Sequence, residues 1–392
     1  MSNTSMKKGK KALKITCIIL GVIVVLVCVN MVMNTIANKA NRDFAESFAP
    51  VKNENAVIPY KDKDGVWTFT TDNDLKVLQF TDIHIGGGWM SANKDSQALN
   101  AVAAMITAEK PDLVIVTGDI VYPVPYESAA LNNLPPHKIF ASLMEALQVY
   151  WVPTFGNHDT EFYSFYTREE ISEYYSSDEL KYCLYERGDE TIDGFGNSVI
   201  NVKNSDDIIT QSLFTIDSHA YTGKGLIDII KMDYDNIHAN QIEWYKNKIS
   251  VFQETYGPQK DNLFSVIPSI IFAHIPLPEH SQGYLKAKDN DGAEFVIYQD
   301  VNSRFINITQ NSSPSADTSF FTTLKEVGST KAYFVGHMHG LRFQVKMDGI
   351  LLGFGPQTGF AKMGTSATSK KVCYVYEVGE DFEIETIECW EP

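Results

Sequence analysis

Between Leu75 and Asp159 the chain alternates two kinds of segment, and that alternation restricts the folds open to it. KVLQFT, DLVIVTGD and YWVPTFGNHD are short apolar runs of strand type. Between them Leu99, Val102, Ala103 and Ile106, and then Phe140, Leu143, Met144 and Leu147, recur at helical spacing, the first set ending before Pro111. Strand, helix, strand, helix, strand predicts parallel βαβ units with strands buried on both faces, hence an α/β fold. Further on, SLFTID, SIIFAH, KAYFVGH and VCYVYEV read as strands and QIEWYKNKISVF as a helix. Thr167 with Glu170 fits the capping box of a short helix. Residues 160–268 are less regular, rich in tyrosine and acids.

The apolar runs share a second property: each stops at residues suited to bind metal. The first gives Asp82 and His84, the second Asp119, the third Asn157 and His158. IIFAH ends in His274, and YFVGHMH in His337 and His339. In open parallel sheets, sites form at the carboxyl ends of strands, so these residues are expected to converge in one crevice. A single strand-end histidine is more often a hydrogen-bonded structural residue, and it is the ordered set that carries weight. Two Asp, one Asn and four or five His exceed the needs of one ion. They suit two divalent or trivalent transition ions sharing a carboxylate, with Asp119, alone in its motif, as the natural bridge. Gly118, Gly156 and Gly336 each precede a candidate ligand and allow close approach.

The N-terminus adds a different constraint. Residues 15–33 form an uncharged apolar run of 19, near the ~20 that cross a bilayer as a helix. Lys7, Lys8, Lys10, Lys11 and Lys14 precede it, which places the short N-terminus in the cytoplasm and the rest outside. A cleaved signal peptide is the alternative; the length of the run and the lack of a clean small-x-small site favour an uncleaved anchor. The expected organisation is a basic tail at 1–14, a transmembrane anchor at 15–37, a stalk with an edge hairpin at 38–73, and one domain from 74 to 392. The net charge of −16 includes those five lysines, so the remainder carries −21. Such a body repels polyanions, and no nucleic-acid duplex is expected as a partner. Cys183, Cys373 and Cys389 lie outside the span and allow at most one disulfide. Asn307 and Asn311 open glycosylation sequons.

The ordered motifs resemble the calcineurin-like metallophosphoesterase superfamily. Its D-x-H, GD-x-x, GNH-(D/E), lone H and GH-x-H appear here as DIH, GDIV, GNHD, FAH and GHMH. FAHIPLPEH, IDSH and QIEWY look like the branch that includes purple acid phosphatase-like proteins. From Leu75 to the C-terminus, the resemblance implies a metallophosphoesterase-type sandwich of two mixed β-sheets flanked by helices. It implies one metal on Asp82, His84, Asp119 and His339, and a second on Asp119, Asn157, His274 and His337, the ions being iron, manganese or zinc. It further implies a small phosphate-ester substrate attacked by a hydroxide bridging the ions. His158 would face that substrate, with Asp159 orienting its ring.

One departure matters. The purple enzymes have glycine where this chain has His84, and a ligating tyrosine where it has Tyr122. We expect His84 to be the ligand and Tyr122 a neighbour or core residue. His219, Glu279 and His280 are possible substrate or secondary contacts; His137 and His238 read as surface or cap residues. Phe162, Tyr163, Phe165 and Tyr166 read as packing beneath an insertion, or as a wall selecting the leaving group. The leading expectation is a membrane-anchored phosphoesterase. Its rivals are a nucleotide diesterase or nuclease with the same metals, and a surface binding protein that has lost the chemistry.

Overall fold

The computed structural model describes residues 2–223, 231, 233–256, 266–302, 306, 319–360, 373–378 and 386–389. The sequons at Asn307 and Asn311 lie outside them. The chain opens with α1 (Ser2–Glu46), followed by the hairpin β1 (Tyr60–Lys61) and β2 (Trp67–Thr70). Next come β3 (Leu75–Phe80), α2 (Ala92–Glu109), β4 (Leu113–Thr117), α3 (Pro125–Ser128), α4 (Leu134–Leu147), β5 (Trp151–Thr154) and α5 (Arg168–Tyr175). The second half holds β6 (Ser198–Lys203), β7 (Ile209–Thr215), α6 (Ala239–Tyr256), β8 (Ser269–Phe272), α7 (Pro278–Asp289) and β9 (Ala293–Ile297). It closes with α8 (Ser319–Val327), β10 (Thr330–Val335), β11 (Gln344–Met347), β12 (Ile350–Phe354), β13 (Cys373–Val378) and β14 (Thr386–Cys389).

Two mixed sheets result. One runs β14-β13-β3-β4-β5, with β3, β4 and β5 parallel as the βαβ pattern predicts. The other runs β1-β2-β6-β7-β8-β10-β12-β11-β9 and is parallel at its centre, from β7 through β12. Alternation along the strands sorts side chains into three cores. Val77, Leu113, Ile115 and Val152 meet Leu213, Ile270, Phe272 and Phe334 between the sheets. Leu78, Phe80, Val114 and Val116 turn the other way, onto Leu99, Val102, Phe140 and Leu143 of α2 and α4. Phe214, Ile271 and Tyr333 of the larger sheet pack on Tyr245, Phe252, Tyr284 and Phe320 of α6, α7 and α8. The architecture is therefore helix, sheet, sheet, helix, as expected for this fold class.

Local chemistry explains the element ends. α2 stops where Lys110 turns left-handed and returns its amide to the Ile106 carbonyl, one residue before Pro111. α5 begins on a complete capping box, Thr167 receiving the Glu170 amide while the Glu170 carboxylate receives that of Thr167.

Two expectations are corrected. The stretch from 38 was expected to be stalk, yet α1 continues unbroken to Glu46, with Asn41 and Ala45 buried and Phe44 packed on the helix-covered core. Phe44, Ala45 and Phe48 supply an apolar face that the polar composition around them conceals. The edge hairpin does follow, as β1 and β2. His137, expected at the surface or in a cap, is fully buried in α4 with Nδ1 2.6 Å from the Tyr175 hydroxyl.

Candidate metal centre

Five strands deliver their carboxyl ends to one place, three from the smaller sheet and two from the larger. The chain turns hard there. Asp82, His84, Asp119 and His337 all adopt positive φ between 51° and 72°, a conformation that costs a non-glycine residue about 1 kcal/mol or more. Glycines create the room: a Cβ on Gly156 would collide with the Asp119 carboxylate, and one on Gly336 with the Thr81 hydroxyl. Four residues that the sequence motifs single out thus carry this strain, as do helix caps and turns elsewhere, Lys110, Gln148 and Asn290 among them.

The donor atoms converge in two adjoining groups. Potential ligand atoms of Asp82, His84, Asp119 and His339 all lie within 4.8 Å of one another. His84 Nε2 is 3.4 Å from Asp119 Oδ2, and His339 Nε2 is 3.1 Å from Asp82 Oδ1. On the other side of Asp119, His274 Nε2 lies 3.2 Å from Asp119 Oδ2 and 3.2 Å from Asn157 Oδ1. His337 Nδ1 is 2.9 Å from Asn157 Oδ1. Asp119 thus stands between both groups, the position of a shared ligand.

The donor set fits a pair of cations. Among the described residues, the only ion-pair partners of buried Asp82 and Asp119 are imidazoles. Burial opposes both charges, but surrounding histidines, His339 foremost for Asp82 and His274 for Asp119, hold Asp82 down to about 2 and Asp119 well below the usual carboxylate range. Burial lowers His84 to about 4 and His337 to about 3, leaving neutral rings with a lone pair to donate. Against its own burial, His274 is lifted by Asp119 to about 9. His274 Nδ1 lies 2.8 Å from the Thr117 carbonyl, a contact that fixes the ring and turns Nε2 toward the centre. Thr81 Oγ1 donates to Asp82 Oδ2 at 2.7 Å.

His158 sits beside this centre, its amide donating to Asp119 Oδ1 at 2.8 Å. Here a correction is needed. Asp159 does not orient the His158 ring; Glu161 does, with Oε1 2.7 Å from His158 Nδ1. Asp159 points the other way and accepts the backbone amides of Asp119, Val121 and Gly156 at 3.0, 3.1 and 2.7 Å. It clamps the loops that carry two candidate ligands, because a tight turn leaves amides with no strand partner. Burial opposes protonation of His158, but the Asp119 charge and the Glu161 bond outweigh it and raise its pKa.

Tyr122 stacks on His84 with ring centroids 5.0 Å apart and turns its hydroxyl to Tyr126 at 3.3 Å. Burial, then the Tyr126 contact, pushes its pKa upward, away from a ligating tyrosinate. Three contacts had no motif to announce them. Tyr221 Oη receives Asn157 Nδ2 at 3.1 Å, and Tyr234 packs edge-on against His337. Arg168 pairs with buried Asp217 and donates to the Gly156 carbonyl at 2.8 Å. Arg168 follows the Thr167 cap and Asp217 is the acid of IDSH, but neither spacing reveals that they meet.

Other expected contacts lie elsewhere. His219 stacks on His238 at 4.1 Å and bonds Gln241, beside Asp235. His238, expected at the surface or in a cap, is only partly exposed, held between Asp193 and Asp235. Glu279 and His280 are not on a substrate loop: both are buried at the start of α7, where His280 packs on Tyr333 and Phe354. Pro278 starts the helix at once, so the loop after His274 is shorter than expected. Phe162 and Phe165 are exposed rather than packed beneath an insertion, while Tyr166 does pack on the core.

The family model for calcineurin-like phosphoesterases matches residues 75–341. Among curated proteins, two from Arabidopsis thaliana are similar along most of their length. "Probable inactive purple acid phosphatase 29" is 26% identical over 77% of this chain and 76% of its own. "Probable inactive purple acid phosphatase 14" is 28% identical over 78% and 75%. A dimetal phosphatase structure from Danio rerio superposes with a TM-score of 0.46 and 11% identity, covering 82% of this chain and 100% of that one.

Proposed function

The chain belongs to the calcineurin-like phosphoesterase family, and from that premise we propose that it hydrolyses phosphate esters at a two-metal centre outside the cytoplasm, anchored in a membrane by α1. The observation that carries this reading is the convergence of Asp82, His84, Asp119, Asn157, His274, His337 and His339 from five strand ends. One ion would be held by Asp82, His84, Asp119 and His339, the other by Asp119, Asn157, His274 and His337. Iron, manganese or zinc bound there would supply Lewis acidity and acidify a water.

The protein's own groups do the rest. Asp119 sets the spacing of the site by serving both sides. His158, tethered at Nδ1 by Glu161, has Nε2 free to bind a phosphoryl oxygen or protonate the leaving oxygen. Glu161 keeps that ring in place and favours its charged form. The −21 body disfavours long polyanions and leaves small esters as substrates. The anchor reading rests on the exposed apolar helix and the lysines before it, which favour a cytoplasmic N-terminus.

The test compares p-nitrophenyl phosphate with its bis ester on protein of measured metal content. Turnover is expected, and preference for the bis ester would shift the reading to the nucleotide diesterase. His158→Ala should keep both metals and lose about 10²–10⁴-fold in kcat. The word "inactive" in the plant names favours one alternative, a metal-binding surface protein without turnover. Full metal occupancy with no hydrolysis of either ester would establish that alternative.

A further inference from the structure

α1 is exposed from residue 10 to residue 29 and first meets the domain at Asn30. The contact is specific. Asn30 Nδ2 and Asn34 Nδ2 both donate to the Ala129 carbonyl, at 2.9 and 2.8 Å. Asn30 Oδ1 receives Trp89 Nε1 at 2.9 Å, and Asn34 Oδ1 receives the Trp89 amide at 3.0 Å. Asn30 lies inside the apolar run 15–33. As a helix, that run is about 28 Å long, close to the ~30 Å of a bilayer's hydrocarbon. Asn30 and the Trp89 indole are therefore level with the outer boundary, the depth at which tryptophan is enriched.

Trp89 belongs to the loop of glycines that follows His84, and Ala129 to the loop that follows Tyr122. A third loop joins them, the Phe165 amide donating to the Leu131 carbonyl at 3.2 Å. Together the three form one rim of the metal centre, since they also carry Tyr122, which packs on His84 and His158, and Glu161, which holds His158. Trp89 (41% exposed), Met90 (49%), Tyr126 (68%), Phe162 (51%) and Phe165 (66%) face outward from it. Outside α1, the other large apolar side chains exposed to this degree among the described residues are the pairs Ile58 with Tyr60 and Val296 with Tyr298 and the single Val251, so that none matches the rim's five. The rim segments 85–90, 122–133 and 160–166 contain no lysine or arginine. Their two acids are engaged, Glu127 by Lys94 at 3.6 Å and Glu161 by His158.

We infer that this rim rests on the outer surface of the bilayer that α1 spans, and that the metal centre acts on the phosphate ester of a membrane lipid. The substrate class rests on the phosphoesterase reading above. Five bulky apolar tips, whose neighbouring Lys94 is paired with Glu127, would do little to gather a soluble anionic ester, but they would enter the headgroup layer and lift a lipid phosphate toward Asp119. The uncharged rim also spares an acidic protein repulsion from anionic lipids. In the reaction, hydroxide from water adds to phosphorus, the P–O bond to the lipid alcohol breaks, and the water's remaining proton goes to that alcohol.

The test uses the full chain, metal-loaded, in phosphatidylcholine vesicles containing phosphatidate or phosphatidylglycerol, with p-nitrophenyl phosphate as soluble probe. Brominated acyl chains should quench a part of the fluorescence that Trp89→Phe removes. Combined Trp89→Ser, Met90→Ser, Phe162→Ser and Phe165→Ser should cut lipid hydrolysis about ten-fold or more and leave the soluble ester within about two-fold. Equal quenching in the wild type and Trp89→Phe overturns the docked rim. Turnover of p-nitrophenyl phosphate with neither lipid cleaved overturns the lipid substrate but leaves the phosphoesterase standing. Failure on every ester, with metals bound and quenching intact, overturns the phosphoesterase reading and its substrate together.

Discussion

At the scale of single residues, the candidate ligands were legible because their chemistry is written in side-chain type and strand-end position. Asp82, His84, Asp119 and His274 need nothing more than that pattern to be picked out. Asp159 was misassigned and Glu161 missed because adjacency in sequence is a poor guide inside a tight turn. The neighbour of His158 faces backbone, and the residue three further on faces the ring. Asp159→Ala should therefore destabilise the protein by about 3 kcal/mol or more, since three buried amides lose their acceptor. Denaturant titration checks this; a change under about 0.5 kcal/mol, the range of a neutral surface substitution, would contradict it. The left-handed φ of Asp82 and Asp119 had no glycine or asparagine to signal it. It is imposed by the surrounding packing rather than by the residues that bear it.

At the scale of elements, the parallel strands β3, β4 and β5 and their helices were readable from period and capping. β11 and β12 were not, because a short antiparallel pair set beside buried parallel strands leaves little periodicity to detect. The end of α1 was missed for a related reason: the face it turns to the core is only Asn41, Ala45 and the partly buried Phe44 among charged neighbours. The junction of β10 with the centre gives a prediction. A Cβ at position 336 would meet the Thr81 hydroxyl and lie 2.8 Å from Asp82 Oδ2. Gly336→Ala should thus displace Asp82 and lower bound metal per chain, to be read by elemental analysis beside circular dichroism. Unchanged metal content would show that β3 and β10 can slide apart without loss.

At the scale of the whole molecule, buried histidines in two separate cores tie stability to pH. Burial, more than any other cause, lowers His137 to about 3 and His280 to about 4. Unfolded imidazoles titrate near 6.5, so below that pH the unfolded chain binds more protons than the native one. Stability is then full above about pH 6.5 and falls as the pH drops, by about 1.4 kcal/mol per unit for each ring until its native pKa is reached. His280→Phe, which suits the Tyr333 and Phe354 surroundings, should reduce that slope by one proton's worth between pH 6 and about 4.5. Parallel urea midpoints for variant and wild type would disprove it.

The unbroken course of α1 has one more consequence. With no hinge between the apolar run and the packing of α1 on α4, an anchored domain would have no leash: its height and tilt would be set by how the helix sits. Reach would then become two-dimensional. Encounters would scale with how crowded the leaflet is rather than with bulk concentration, and a flexible insert placed after Ile36 would trade that fixed posture for roaming.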